Sequence, residues 1–311
     1  MIRFLSILFF SSIICETYNS SINALILPID SKIFIYNNKN NTNNTRPSSV
    51  NTSLYFPGNR LIPGNLSYDY SSSFNSTVNS YCISYVLETS NPILVGFNRQ
   101  VIDDIFDTSY AWNDNGDGIP HFNEINYDAI TNESFDFSVV SMVMQKSRQN
   151  HIIGIGTKIF RQNYSDYTSL GFSTDIGINY IHRILNLHFG VKNVLNYNRW
   201  NSGETETFIP TPFIGSKIFA KGIGIGSYFI YQNSAPSLSL TTSFTLNNNM
   251  KMSLFYSLDL AYSASISFSN EYIEFSLSSK FYNNGFINDN INFSFGILPS
   301  KINKLDIRLV P

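Results

Sequence analysis

The residues best placed to do chemistry lie between Asn113 and Glu124, in the stretch NDNGDGIPHFNE. Oxygen-bearing side chains stand at the first, third, fifth and twelfth places, as Asn113, Asn115, Asp117 and Glu124, with Gly118 at the sixth. That is the order of a calcium loop, in which side-chain oxygens, one main-chain carbonyl and a bidentate glutamate surround a hard cation and glycine allows the sharp turn. The carbonyl of Ile119 completes the set. Only Asp117 and Glu124 carry charge at ligand positions, so the expected affinity is weak, about 10⁻⁴–10⁻³ M. The alternative is that the Asn-Gly and Asp-Gly pairs simply make tight turns, which explains both glycines without a metal.

No other group of residues has the spacing of a reactive centre. The histidines are His121, His151, His182 and His188, with no H-x-x-x-H pair and no cysteine partner among them. They read as polar lining or interfacial residues. No serine stands beside a histidine in any legible arrangement, so no enzyme is expected. A net charge of -2 leaves no footprint for nucleic acid.

The elements that must position such residues follow from an unusual composition. Charged residues are 14% of the chain, against about 25% in an ordinary soluble domain, while 19 Tyr and 26 Phe stand among many Ser, Thr and Asn. Arg3 precedes an apolar run from Phe4 to Ile14, the layout of a secretory signal. The run is shorter than the roughly 20 residues a bilayer-spanning helix needs. Residues 1–24 are therefore expected to be a removed signal peptide, 25–52 an Asn-rich N-terminal segment, and 53–311 a barrel with a long loop near 100–132. That loop carries Trp112, Phe122 and Tyr127 and is where a partner is expected to bind. With Cys15 near the signal, only Cys82 certainly remains, and one cysteine makes no internal disulfide.

From about Tyr81 onward the chain alternates with period two. Over 252–268, Met252, Leu254, Tyr256, Leu258, Leu260, Tyr262, Ala264, Ile266 and Phe268 share one face, and Ser253, Ser257, Asp259, Ser263, Ser265 and Ser267 the other. Further strands are legible at 79–88, 134–145, 150–161, 185–194, 208–219, 222–232, 271–281, 290–298 and 304–310. An inward apolar face would fit a soluble sandwich. The polar face decides otherwise, because it holds Ser, Thr, Asn and Gly with few Lys or Glu, a poor face for bulk water and a good lining for a lumen. Gly154, Gly156 and Lys158 oppose Ile153, Ile155 and Ile159 in the same way. The expected fold is all-β, a transmembrane antiparallel β-barrel of about 14 strands in a bacterial outer membrane. Lys158, Asp175, Lys192 and Asp259 would then face the lumen and could pair there. Ile176 would face lipid and Asn179 the lumen, where an arginine is expected to be tolerated better.

The stretch IGIGTKIFRQNYSDYTSLGFSTDIGINYIHRILNLHFGVKNVLN at 153–196 resembles the PorV/PorQ-like outer-membrane protein family. The shared features are Gly156 and Lys158, then Asp166 and Tyr167, Gly171 and Phe172, Asp175 and Gly177, and finally Leu185, Leu187 and Asn193. The stretch NDNGDGIPHFNEINYDAI also resembles a loop that some members carry. The resemblance implies a FadL-like barrel. Residues 31–56 depart from the Gly-rich start of such proteins, and DIRLVP departs from their aromatic C-terminus. Two functions follow from it. The first is a surface-protein export component, associated with type IX secretion, or a binding component whose partners are outer-membrane lipid and exported proteins or secretion components. The second is a FadL-like channel for hydrophobic solutes. Apart from calcium, no cofactor is expected.

Calorimetry at several millimolar calcium tests the 113–124 loop. A calcium-dependent heat that disappears in Glu124→Gln is the expected result of a site, and identical heats in the two proteins leave only a turn.

Overall fold

Period-two alternation with one apolar face suits a sandwich in water or a closed ring in a membrane, and only the closed ring pairs every strand edge. The computed structural model shows that ring. It describes residues 53–73, 77–108, 110–111, 124–232, 235–247, 249–257, 261–270, 272–282 and 290–298. The strands are β1 (Leu66–Ser73), β2 (Val78–Leu87), β3 (Ile93–Asp107), β4 (Thr131–Arg148), β5 (His151–Tyr164), β6 (Tyr167–His182) and β7 (Leu185–Trp200). They continue as β8 (Thr205–Glu206), β9 (Thr211–Ala220), β10 (Ile223–Gln232), β11 (Ala235–Asn247), β12 (Met250–Ser257), β13 (Ala261–Ser269), β14 (Ile273–Tyr282) and β15 (Asn290–Ile297). Neighbours pair antiparallel, β1 closes on β15, and β6 pairs with β7, while the short β8 hangs on the end of β7. Leaving β8 aside, the 15-stranded sheet is a closed barrel of 14 strands.

The faces are inverted relative to a soluble protein. Ile153, Ile155, Ile159, Phe172, Ile176 and Ile178 point outward and are exposed, whereas Lys158, Ser173, Asp175, Asn179, Ser253 and Ser276 point inward and are buried. On β6 the outward band from Leu170 to Tyr180 covers about 33 Å of strand at the usual rise. At a barrel tilt this gives the ~25 Å height of a lipid-facing belt. Among the described residues no helix is long and apolar enough to cross a membrane.

Connection length differs between the ends. Two residues join β4 to β5, β6 to β7, and β9 to β10 at one end, with Gln149, Arg183 and Lys221 in the left-handed region at φ 50, 51 and 48. The opposite end has two-residue turns as well, between β5 and β6 and between β10 and β11, but it also carries the long 108–130 connection. Short turns mark the periplasmic end of an outer-membrane barrel and long loops the outer end.

Three sequence readings change. The unbroken alternation over 252–268 is two paired strands, not one: Met250 pairs with Phe268 and Ser257 with Ala261, and both strands keep the same parity of faces. Strands β1 and β3 were not legible. β1 has only 8 residues, and β3 carries a bulge between Ile102 and Ile105 where Asp104 sits at φ 57. β3 runs to Asp107 and β4 begins at Thr131, which sets the bounds of the long loop. The 304–310 segment lies outside the described residues, and the ring closes through β15 without it.

Ile176→Arg places a charge in the lipid-facing belt and is expected to cost about 2–4 kcal/mol in folding into vesicles, read as the urea midpoint of gel mobility. The sequence expectation that Asn179→Arg is better tolerated is corrected: Asn179 is 0% exposed and enclosed. Both variants are expected to impair assembly. A wild-type midpoint for Ile176→Arg would overturn its lipid-facing assignment, and one for Asn179→Arg the enclosure of that side chain.

Candidate functional site

The lumen is occupied by the chain itself. Residues 53–65, SLYFPGNRLIPGN, precede β1 and contain the tetrapeptides FPGN and IPGN six residues apart. Each closes a turn: the Asn59 N–H donates to the Phe56 carbonyl at 2.8 Å, and the Asn65 N–H to the Ile62 carbonyl at 3.2 Å. The glycines differ in role. Gly64 takes φ 75, as the second central place of a type II turn requires, and its N–H donates to the Val86 carbonyl at 2.9 Å. Gly58 is not left-handed, and its missing side chain serves a close approach. A Cβ there would lie 3.1 Å from the main chain of Gly177 and Ile178.

The barrel wall answers with its own glycines. A Cβ on Gly177 would lie 2.7 Å from the Gly58 nitrogen, and one on Gly154 would collide with the Pro57 carbonyl. Main chain therefore packs on main chain where β5 and β6 meet the inserted turn. One side chain holds the segment. The Gln145 amide oxygen accepts the Leu61 N–H at 3.0 Å, and its nitrogen donates to the Pro57 carbonyl at 2.5 Å and to the Asn59 carbonyl. Asn98 donates to the Tyr55 hydroxyl at 3.2 Å.

Apolar side chains of the same segment reach opposite walls. Leu54 and Leu61 pack with Cys82, Val86, Leu94 and Val143 on β2, β3 and β4. Phe56 packs edge-on against Phe213 and Tyr228, with ring centroids at 4.9 and 5.2 Å, in a cluster with Ile230 and Phe255. The plug thus spans the lumen and is anchored on both sides.

Charges gather beside it. Lys158 and Asp175 form a buried ion pair at 2.5 Å. Asp175 sits where the β6–β7 register slips between Thr174 and Ile176. The bulged Asn193, at φ 56, turns its N–H to Asp175 at 2.9 Å, and its side chain accepts from the Ser173 hydroxyl at 2.7 Å. The carboxylate thereby replaces a partner that the bulge removed from the ladder. Lys192 lies with its ammonium 4.8 Å from the centre of the Phe56 ring, a cation–π contact. On the outer side of the plug, Phe137, Val139 and Phe160 meet Phe208 in a buried cluster flanked by Phe135. Phe208 belongs to the connection before β9. The Asn196 amide holds it inward, donating to the Phe208 carbonyl at 2.9 Å and accepting its N–H at 2.5 Å. Gln162, opposite Phe137 in register, is buried with neither amide atom hydrogen-bonded.

Of the lumen charges expected from sequence, the structure pairs Lys158 with Asp175, directs Lys192 to an aromatic ring, and places Asp259 outside the described residues. His151 and His182 flank Tyr180 on the outer wall, with ring centroids at 4.9 and 6.2 Å from it, as an interfacial cluster. His121 lies outside the described residues, as do Asn113, Asn115, Asp117 and Ile119 of the calcium loop, while Glu124 is buried. Sequence reasoning missed Gln145 and the plug. The available signals were the repeated Pro-Gly-Asn and the cluster of Gly154, Gly156 and Gly177 on one inner face.

No protein-family model and no curated protein matches the chain. Among solved structures it is similar to the TodX monoaromatic hydrocarbon channel, in its deltaS2 mutant, at a TM-score of 0.51 and 8% identity, covering 79% of this chain and 93% of that one. It is similar to the Ralstonia pickettii toluene transporter TbuX at a TM-score of 0.50 and 8% identity, again covering 79% and 93%. These likenesses show the fold: the chain shares the closed antiparallel barrel of these two proteins.

Gln145→Ala removes the side-chain bonds to the Leu61 N–H and to the Pro57 and Asn59 carbonyls, of which Asn59 keeps the Ser53 hydroxyl, and is expected to loosen the plug by about 1–3 kcal/mol. The measurement is protease cleavage within 53–65 on the folded barrel. Cleavage at the wild-type rate would show that Gln145 does not hold the segment.

Proposed function

We propose that the protein is an outer-membrane conduit for small apolar solutes, closed at rest by the plug at 53–65. The observation that carries this reading is the apolar cluster on the outer side of the plug: Phe137, Val139, Phe160 and Phe208, flanked by Phe135, pack together inside the ring where a general aqueous pore would present polar side chains to water. An apolar enclosure with a few convergent polar groups is the usual make-up of a small-molecule site, and the Gln162 amide supplies such a group. The Gln145 side chain, which bonds three main-chain groups of the plug, is the point at which such a gate would be released. The names of the two structural neighbours, a monoaromatic hydrocarbon channel and a toluene transporter, agree with an apolar cargo.

The export or surface-binding reading rests on the sequence resemblance and on exposed aromatics at the outer end, Phe106, Tyr110 and Tyr127. Those residues offer a partner a surface, whereas the apolar cluster inside the ring has no role in it.

Proteoliposome uptake separates the two. Toluene entry is expected to exceed that of an equally small sugar, to rise several-fold in Gln145→Ala, and to fall about tenfold in Phe160→Asn, which places an amide in the apolar cluster. Equal uptake of toluene and sugar, or uptake indifferent to both variants, would overturn the conduit reading. Co-purification of an exported protein that is lost on deleting 108–130 would favour the other.

A further inference from the structure

A groove of about 670 Å³ lies on the outside of the barrel wall, at the outer end of β5, β6 and β7. Cross-strand register orders its lining into two rows. Ile159, Phe172 and Tyr197 are aligned across the three strands, and one step further out Arg161, Leu170 and Arg199 are aligned in the same way. The inner row is apolar and lies in the lipid-facing belt. The outer row sets two guanidinium groups on either side of Leu170.

The surroundings of these arginines are unusual. Arg99, on the same outer wall, is neutralised by Asp136 at 2.5 Å. Arg161 donates to the Asn163 side chain at 3.0 Å, and among the described residues neither it nor Arg199 has an ion pair. One strand lies between them, two strand spacings or about 9–10 Å, a gap that two long side chains can close on a single anion. Their height on the wall is where the apolar belt gives way to the polar ends of the strands, so the molecule facing them is a membrane lipid. Guanidinium binds phosphate through paired hydrogen bonds, and it does so most strongly where water is partly excluded.

We propose that this groove binds one outer-leaflet lipid with a phosphorylated headgroup, its phosphate held between Arg161 and Arg199. The first carbons of an acyl chain lie on Ile159, Leu170, Phe172 and Tyr197. The site is on the outer wall and does not depend on what passes through the lumen.

Native mass spectrometry of the full-length protein in detergent tests it, with a bis-phosphorylated lipid A, its dephosphorylated form, and inorganic phosphate as probes. The expected result is one retained phosphorylated lipid, with affinity reduced roughly tenfold or more in R161Q/R199Q, partly kept in R161K/R199K, and unchanged in R99Q. Equal binding of the dephosphorylated lipid overturns the proposal, as does displacement of the lipid by millimolar inorganic phosphate, or full retention in the double glutamine variant. The comparison of the two lipids uses the unmodified protein and stands even where a variant fails to assemble, which heat-modifiable mobility reports.

Discussion

Every main-chain N–H and C=O within hydrocarbon must find a partner inside the protein, and the rest of this structure follows from that requirement. Closure of β1 on β15 and of β6 on β7 leaves no open edge in the ring. It also divides the side chains once and for all. Alternate residues go to lipid or to lumen, so Ile155 and Ile176 stand outside while Lys158 and Asp175 stand inside. A slip of one residue would exchange the two sets, which is why the register holds over β4 and β5 from Phe135 to Arg148 without a break.

A ring of this size encloses a space that side chains of ordinary length must fill, and small residues decide where large ones fit. Gly171 lies under the Phe160 ring, Gly190 under Phe213, and Gly215 under Tyr228; a Cβ at any of the three would meet the ring within 3 Å. Gly154 and Gly177 instead admit a piece of main chain, the turn at Pro57 and Gly58. The same residue type on the same face therefore has two uses, making room for an aromatic ring in one sector and for the plug in another.

Among the charged groups inside, Lys158, Asp175 and Lys192 are each accommodated by a specific arrangement. Asp175 accepts from Lys158 and from a main-chain N–H that the bulge at Asn193 frees, so the irregularity in β7 and the buried carboxylate depend on each other. Lys192 rests over Phe56, which ties the charge cluster to the plug through an aromatic face. Any movement of the plug changes the environment of that ammonium. Outside the ring the same economy of charge holds, and the arginines of the outer wall stand near the ends of the apolar belt where the membrane itself supplies anions.

Alternation and the chemistry of the polar face were enough to establish a transmembrane barrel of about 14 strands from the sequence, with Ile176 outward and Lys158 and Asp175 inward, because side-chain parity along a strand is a local property. Parity could not reveal that 252–268 is two strands, since both preserve it, nor the strand at 93–107, where a bulge interrupts it. Six glycine and proline positions in FPGN and IPGN, or in Gly154 and Gly177, carry no mark of what they face. Whether Gly58 takes a left-handed turn or a close approach depends on a strand more than a hundred residues away, and the pairing of Gln145 with Pro57 and Leu61 spans 88 and 84 residues. Such contacts join segments whose separation in the chain says nothing about their distance. Only closure of the ring brings them together, and for that reason the occupied lumen was decided by the tertiary structure alone.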